Sequence, residues 1–487
     1  MYNLANLVDV SADQAPASPA FVGPDVTVTY RELAEQISAA RAGLLELGIS
    51  SGDRVALSLT FAPDFAVAFY ATLGIGAVAV PMNPALTPRE AAHYLGDSGA
   101  KVLIGRSQVR SWVEDGPVTL VALDQLRRHQ DRAPMTSVAP DDTAVILYTS
   151  GTTGVPKGAE LTHANLLFNV AELSDPAIIG PVQTDVVAGV LPLFHTMGLT
   201  ILNLTLTAGA SMWPIEKFEA RHVAELIDGG QVSMLAAVPT HLQMLMTSCE
   251  GLSFRIPLRR LSTAGAGLPP AVRDWAQSSL GTPVIEGYGL TEASPTVAYN
   301  RADVPIRPGS VGHPLPGVDV KIVDALGAEV ATDQLGEIIV RGPNVMKGYW
   351  NNLTATGAAI TDGWLATGDI GRIDADGYLY VVDRLKQVII RGGFNVYPGE
   401  VEAVLREHPA VAEAAVVGIP DARVGEEIVA FIVGTGAPVS EEHLRDYARA
   451  NLAAYKSPRR FVLTTELPRT PTGKIARTQL PSLLTDK

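Results

Sequence analysis

The sequence has little cysteine, little positive charge and no long uninterrupted apolar run. Its single cysteine, Cys249, falls in THLQMLMTSCE on a predicted amphipathic helix. A disulfide framework or a cysteine-based metal cluster is therefore excluded, and a buried structural thiol is expected. The 37 Lys and Arg stand against 51 Asp and Glu, a net charge of −14. Nucleic acid and anionic membrane both call for clustered positive charge, so neither is an expected partner. Any basic patch must be local. The nearest approach to a membrane span, AVAFYATLGIGAVAVPM at 66–82, is just short of spanning length and is interrupted by Gly74, Gly76 and Pro81. It reads instead as a buried helix turning into a buried strand, with no transmembrane segment. The first residues, MYNLANLVDVSADQAPASPAF, lack the basic start and apolar stretch of a secretory signal, and LLTDK at the end is no recognised address; a cytoplasmic protein is expected. Internal repeats, coiled-coil heptads and low-complexity segments are absent. DADG at 374–377 looks like the start of a calcium loop but lacks the distal glutamate, so a hairpin turn is expected there.

With 487 residues, 47% of them hydrophobic, the chain is too long for one core and at least two domains are expected. From about Tyr30 to Gly281, short apolar runs such as TAVILY, VVAGVLP and VSMLAAV alternate with polar turns and helical periodicity, the pattern of a layered α/β domain. Around Val318 it gives way to shorter strands with turn signals. After Arg384 a new α+β cycle begins. The expected fold is thus α/β: a large multilayer N-terminal domain, residues 1–384, with a β-rich closing subdomain, and a small mobile α+β C-terminal domain, residues 385–487.

The stretch YTSGTTGVPKG at 148–158 is crowded with hydroxyls, glycines and one lysine. It is not a Walker A loop, because its spacing from Gly151 is wrong and glycine follows Lys157. It does sit between an expected strand, TAVILY, and a helix, HANLLFNVAEL, with Thr162 as cap. Glycines let backbone N–H groups approach an anion, while Thr149, Ser150, Thr152 and Thr153 add donors and Lys157 adds charge. A surface loop of small residues would account for the glycine and threonine but not for this density of donors beside a lysine.

Seven further segments appear in order: LPLFHTMGL at 191–199, STAGAGLP at 262–269, EGYGLTE at 286–292, GEIIVRG at 336–342, GWLATGDIG at 363–371, DRLKQVIIRGGFNVYPGEVE at 383–402 and PRTPTGKIAR at 468–477. Together with the loop they resemble the signatures of the adenylate-forming superfamily, in its acyl-CoA synthetase branch. That resemblance implies ATP, Mg²⁺ and CoA as co-substrates and metal. It also implies a reaction in which a carboxylate becomes an acyl-AMP before a thiol attacks it. An anionic carboxylate must approach a polyanionic triphosphate, so catalysis has to come from cations and oriented donors.

On that resemblance, Ser150, Gly151, Thr152, Thr153 and Gly154 with Thr149 and Lys157 hold the phosphates. Thr291 donates to the α-phosphate and Glu292 ligates Mg²⁺, a hard cation suited to carboxylate oxygen. Tyr288 stacks on adenine, flanked by Gly287 and Gly289, whose missing side chains admit the base. Gly265, Ala266 and Gly267 form the opposite wall. Asp369 accepts from the ribose hydroxyls, and Arg384 offers a forked donor nearby. Lys474 bridges carboxylate and α-phosphate and is the catalytic lysine, delivered by a small domain that swings about a hinge at Lys386. Between Tyr455 and Arg477 lie six basic residues and one acid, a local patch that suits a nucleotide or the phosphates of CoA. His195 lines the passage to the acyl pocket.

Amino-acid-activating relatives commonly place an aspartate after the LPLFH-like segment; TMGLTILNLTLTAG contains no acid. An apolar carboxylic acid fits better, and Phe394 in GGFNVYP resembles long-chain ligases. The expected activity is a medium- or long-chain fatty acyl-CoA ligase. Alternatives are a fatty acyl-AMP ligase loading an acyl carrier protein, and a catalytically silent acyl or nucleotide sensor.

Overall fold

The structure is a computed structural model describing residues 2–114, 116–129, 132–149, 156–391, 394–421, 423–469 and 475–484, with the side chains of Lys386 and Asn395 excepted. The chain forms two compact units, one of residues 1–320 and 340–365, the other of residues 321–339 and 366–487.

The first unit is built on two sheets. In the nine-stranded sheet, Val284–Gly289, Arg260–Ala264, Met234–Ala237, Val186–Gly189, Ser211–Pro214 and Pro19–Gly23 run parallel in that order. Antiparallel strands Thr296–Tyr299, His313–Pro314 and Val26–Thr29 finish its edges. The seven-stranded sheet runs Gly348–Tyr349, Lys157–Thr162, Thr143–Thr149, Val78–Pro81, Arg54–Ser58, Val102–Gly105, Thr119–Val121. Its apolar crossovers are as the sequence suggested: helix Ala62–Gly74 leads into strand Val78–Pro81, and every residue from 65 to 82 is buried. That explains an apolar run without a bilayer, each fully buried Phe or Leu being worth roughly 1.5–3 kcal/mol. Helix Thr196–Thr207, from the other sheet, is likewise almost wholly buried. The Tyr70 hydroxyl donates to Asn203 Oδ1 at 2.7 Å. This bond links a crossover helix of one sheet to a crossover helix of the other and satisfies two buried polar groups inside the helical layer they share.

In the β-rich segment, Asp319–Val323, Gly336–Arg341, Trp364–Ile373 and Ile360–Thr361 form a sheet with Leu379–Arg384 added. The division between the units falls within its strands, whereas the sequence reading divides the chain at 384/385, beyond this sheet. The expected hairpin at DADG is present. Asp374 Oδ1 accepts from the backbone N–H groups of Asp376 and Tyr378, at 3.0 and 2.9 Å, between antiparallel strands.

The rest of the second unit is a sheet of Phe394–Val396, Ile389–Arg391, Gly425–Gly434 and Val411–Asp421, with Arg460–Thr464 parallel to Gly425–Gly434. Its alternation is plain: Ile428, Ala430 and Ile432 face one core with Val401 and Leu444, while Val429 and Phe431 face another with Leu467 and Leu480. A sheet covered on both faces needs this two-sided apolar pattern. Cys249 departs from expectation. It follows the helix Pro239–Ser248 and is half-buried, its thiol donating to the Met246 carbonyl at 3.4 Å, because the helix ends at the surface there.

Candidate active site

The parallel strands of the nine-stranded sheet all end on one edge, where open α/β sheets bind ligands. Val186–Gly189 leads to His195, Arg260–Ala264 to Gly265–Ala266–Gly267, and Val284–Gly289 to Thr291 and Glu292. Thr291 and Glu292 are half-buried, in the 3₁₀ turn Thr291–Ala293. Topology alone thus gathers three of the expected segments.

Glu292 is the centre of the arrangement. Its Oε1 accepts from the Tyr349 hydroxyl at 2.9 Å and from Thr149 Oγ1 at 3.3 Å, and its carbonyl accepts from Met346 N–H at 2.8 Å. Thr149 lies opposite Lys157 across the pair Thr143–Thr149 and Lys157–Thr162, and Tyr349 lies opposite Ala159 in the next strand. Lys157 Nζ stands 5.1 Å from the centroid of the Tyr349 ring. Burial, then the Glu292 charge and hydrogen bond, raise the Tyr349 pKa, so its hydroxyl stays a donor. The residues on either side of 150–155 are held separately. Tyr148 stacks on Tyr94 at 4.3 Å and donates to Asp97 Oδ2 at 2.6 Å. On the other side, His93 Nε2 lies 3.1 Å from the Pro156 carbonyl. Ser150, Gly151, Thr152, Thr153 and Gly154 lie outside the described residues.

Gly265, Ala266 and Gly267 are exposed, and a Cβ on Gly267 would meet nothing within 4 Å, as an open wall requires. Gly265 has φ +88°, a conformation suited to glycine. Tyr288 is buried, with 9% exposure. Gly287 and Gly289 need correction. The space of their missing side chains is already filled: a Cβ would come within 2.3 Å of the Tyr299 ring at Gly287 and 2.0 Å of the Pro295 carbonyl at Gly289. They admit the neighbouring strand, not open space for a base. His195 is exposed just before helix Thr196–Thr207, its ring tilted on Phe194 with centroids 4.7 Å apart.

In the second unit, Asp369 and Arg384 are paired across strands, Nε to Oδ1 3.0 Å. Lys386 lies in the 3₁₀ turn Leu385–Gln387, its side chain outside the described residues, and Lys474 is outside them altogether. The basic patch is largely neutralised within its own unit. Lys456 pairs with Glu400 at 2.5 Å, Arg469 with Glu413 at 2.5 Å, Arg459 with Glu427 at 3.8 Å, and Arg477 with Glu402. Linear counting missed this because the acids come from other elements.

Sequence reading also missed Tyr349, although GYW at 348–350 could have been searched for a donor to Glu292. It missed Phe218 and His241 too, which stack with centroids 4.0 Å apart and planes at 10°. They leave the ends of Ser211–Pro214 and Met234–Ala237, the strands flanking the one that leads to His195. Burial lowers the His241 pKa to about 4, and its Nδ1 is buried without a hydrogen-bond partner among the described residues.

No group of three or more His, Cys, Asp or Glu that could hold a metal occurs among the described residues. A single carboxylate is nevertheless what Mg²⁺ uses when phosphates and waters complete its shell, and Glu292, bonded to Thr149 and Tyr349, fits that ion.

Comparison with known proteins decides the family. The AMP-binding enzyme family matches residues 8–350, and the AMP-binding enzyme C-terminal domain matches residues 400–474. The chain is an AMP-binding enzyme of the adenylate-forming superfamily. This AMP-binding enzyme is 34% identical to a long-chain-fatty-acid–CoA ligase of Escherichia coli O157:H7, over 98% of the chain and 94% of the relative. It is 37% identical to a feruloyl-CoA synthase of Amycolatopsis sp, over 96% of each. ATP-bound MatB from Rhodopseudomonas palustris superposes with a TM-score of 0.89 at 30% identity, covering 99% of both chains. The o-succinylbenzoate CoA synthetase MenE of Bacillus subtilis, in complex with its acyl-adenylate, gives 0.87 at 33% identity, covering 98% and 97%. The AMP-binding enzyme therefore falls in the acyl-CoA synthetase branch: it is an ATP-dependent acyl-CoA ligase, with ATP and CoA as co-substrates and Mg²⁺ as metal.

Proposed function

We propose that the enzyme activates a medium- or long-chain fatty acid as the acyl-AMP and transfers the acyl group to CoA, releasing AMP and pyrophosphate, in the cytoplasm. The observation that carries the acyl reading is the helix Thr196–Thr207 behind His195: it is almost wholly buried and contains no ionisable residue that could hold an amino group or a second carboxylate. A buried apolar wall favours an apolar acid. No helix among the described residues is long and apolar enough to cross a membrane.

In this reading, Thr149 and Lys157 orient the β- and γ-phosphates and Thr291 steadies the α-phosphate; Glu292 would hold Mg²⁺, which would supply positive charge beside the phosphates. Asp369 and Arg384 hold the ribose, while Gly265, Ala266, Gly267 and Tyr288 border the base. Lys474 holds the attacking carboxylate against the α-phosphate, then leaves as the chain pivots at Lys386 so that a thiol can reach the same carbonyl. CoA is the preferred thiol, since the relatives described above include a CoA ligase and a CoA synthase; a carrier-protein arm has no such support.

A second reading is an aryl acid. The flat Phe218–His241 pair, with a ring nitrogen that has no partner among the described residues, suits an aromatic acid carrying a hydroxyl, and a feruloyl-CoA synthase is among the relatives. Acid-dependent ATP–pyrophosphate exchange over fatty acids of graded length and over hydroxycinnamates, repeated with CoA and with a carrier protein as acceptor, tests both. Exchange that rises with chain length supports the first reading. Exchange confined to aryl acids overturns it.

A further inference from the structure

Lys157 and Glu292 are opposite charges in one small region, yet among the described residues no ion pair joins them. Tyr349 stands between. Its ring face receives the Lys157 ammonium at 5.1 Å, and its hydroxyl donates to Glu292 Oε1 at 2.9 Å. Thr149 donates to the same oxygen at 3.3 Å, so both donors use Oε1 and, among the described residues, Oε2 keeps its lone pairs.

We propose that Tyr349 is a positioning residue of the adenylation site: it keeps Lys157 and Glu292 from neutralising each other and turns Glu292 so that Oε2 is presented to the cation. The proposal rests on the reading of Glu292 as the Mg²⁺ ligand. Both charges contact the same side chain, and an ammonium and a carboxylate that pair must be separated again before the lysine can meet phosphate and the carboxylate a metal. A tyrosine meets both demands at once. The π-face attracts a cation without consuming a negative charge, and the hydroxyl satisfies one carboxylate oxygen without supplying a positive charge. The backbone makes the position secure. Gly348 and Tyr349 pair with Glu160 and Ala159, Trp350 N–H donates to the Gly158 carbonyl at 2.7 Å, and Trp350 Nε1 donates to the Asp97 carbonyl at 3.0 Å. Ring, lysine and carboxylate are thereby tied to one three-stranded ribbon at the root of the phosphate loop.

Two variants separate the two roles. Tyr349→Phe keeps the ring and loses the hydroxyl; Tyr349→Leu loses both. The measurements are equilibrium binding of a non-hydrolysable ATP analogue by calorimetry as Mg²⁺ is titrated, the KM for the carboxylic acid, thioester formation from supplied acyl-AMP, and the thermal midpoint. For Tyr349→Phe, the half-saturating Mg²⁺ is expected to rise roughly tenfold, as befits a lost hydrogen bond to a charged group. Acid KM and thioester formation are expected to stay unchanged. For Tyr349→Leu, the Mg²⁺ requirement should rise further, and nucleotide affinity should fall several-fold even at saturating Mg²⁺, because Lys157 now pairs with Glu292. A Tyr349→Phe enzyme with the Mg²⁺ dependence of wild type, or a Tyr349→Leu enzyme no worse than Tyr349→Phe, overturns the proposal. So does equal loss in both half-reactions with a lowered thermal midpoint, which marks a purely structural tyrosine. Glu292→Gln serves as the control for the underlying reading: if it binds Mg²⁺–nucleotide like wild type, the assignment of Glu292 is what has failed.

Discussion

Asp369 and Arg384 face each other on paired strands, with Arg384 Nε 3.0 Å from Asp369 Oδ1. Their exposures differ sharply, 4% for the Asp369 side chain against 61% for Arg384. The aspartate is buried, while the arginine that pairs with it is largely exposed to solvent. Asp369→Ala is expected to weaken ATP binding by roughly 10- to 100-fold, the effect of losing charge-assisted hydrogen bonds. Arg384→Ala should cost under about tenfold, since its pairing is solvent-exposed. Titration with ATP and with 2′,3′-dideoxy-ATP checks the cause. Wild type should discriminate strongly between them and Asp369→Ala hardly at all.

Lys474→Ala is expected to reduce acid-dependent pyrophosphate exchange by about 10²–10³-fold, as for removal of one oriented electrostatic group. Thioester formation from supplied acyl-AMP should survive. Comparable loss in both half-reactions would contradict a lysine that serves only the first.

His163 supplies a pH dependence of stability. It is buried, its Nδ1 accepts from the Leu4 N–H at 3.1 Å, and burial lowers its pKa to about 4. An unfolded histidine takes up its proton near pH 6.5, whereas the folded one stays neutral until about 4. Stability is therefore fully present above pH 6.5 and is lost progressively as pH falls toward 4, by roughly 3 kcal/mol. Urea unfolding of wild type and His163→Gln between pH 7 and 4.5 checks it. The glutamine variant, which can still accept from Leu4, should show a shallower decline.

Gly287→Ala tests what the glycine is for. The new methyl would lie 2.3 Å from the ring of buried Tyr299, so overpacking should cost about 1–3 kcal/mol. Chemical denaturation measures it. A variant of unchanged stability with weakened ATP binding would instead restore the idea that the missing side chain serves the base.

Much of the local structure was legible because it depends on near neighbours. Thr162 caps helix His163–Leu173 as its position suggested, its Oγ1 accepting from Asn165 N–H at 3.1 Å. Asp374 closes its hairpin through bonds to residues two and four ahead. The run at 66–82 became buried helix and strand because two-sided burial needs continuous apolar residues and imposes no need for charge. The ordered segments, from YTSGTTGVPKG to PRTPTGKIAR, were enough to indicate the superfamily, since each concentrates its chemistry within a few residues.

Tertiary structure decided what those segments do to one another. Glu292 meets Thr149 and Tyr349 across 143 and 57 residues. The meeting depends on strand Gly348–Tyr349 pairing with the edge strand Lys157–Thr162, far back in the sequence, a pairing with no local signature. The same limit explains the basic cluster, which looked unopposed in sequence and is matched by Glu400, Glu413 and Glu427 brought in from other elements. It explains Gly287 as well: whether a missing side chain leaves room for a ligand or for Tyr299 depends on which strand arrives beside it. Short-range hydrogen bonding and apolar periodicity are properties of a segment. The partner of a charge and the occupant of a gap are set only when distant segments pack.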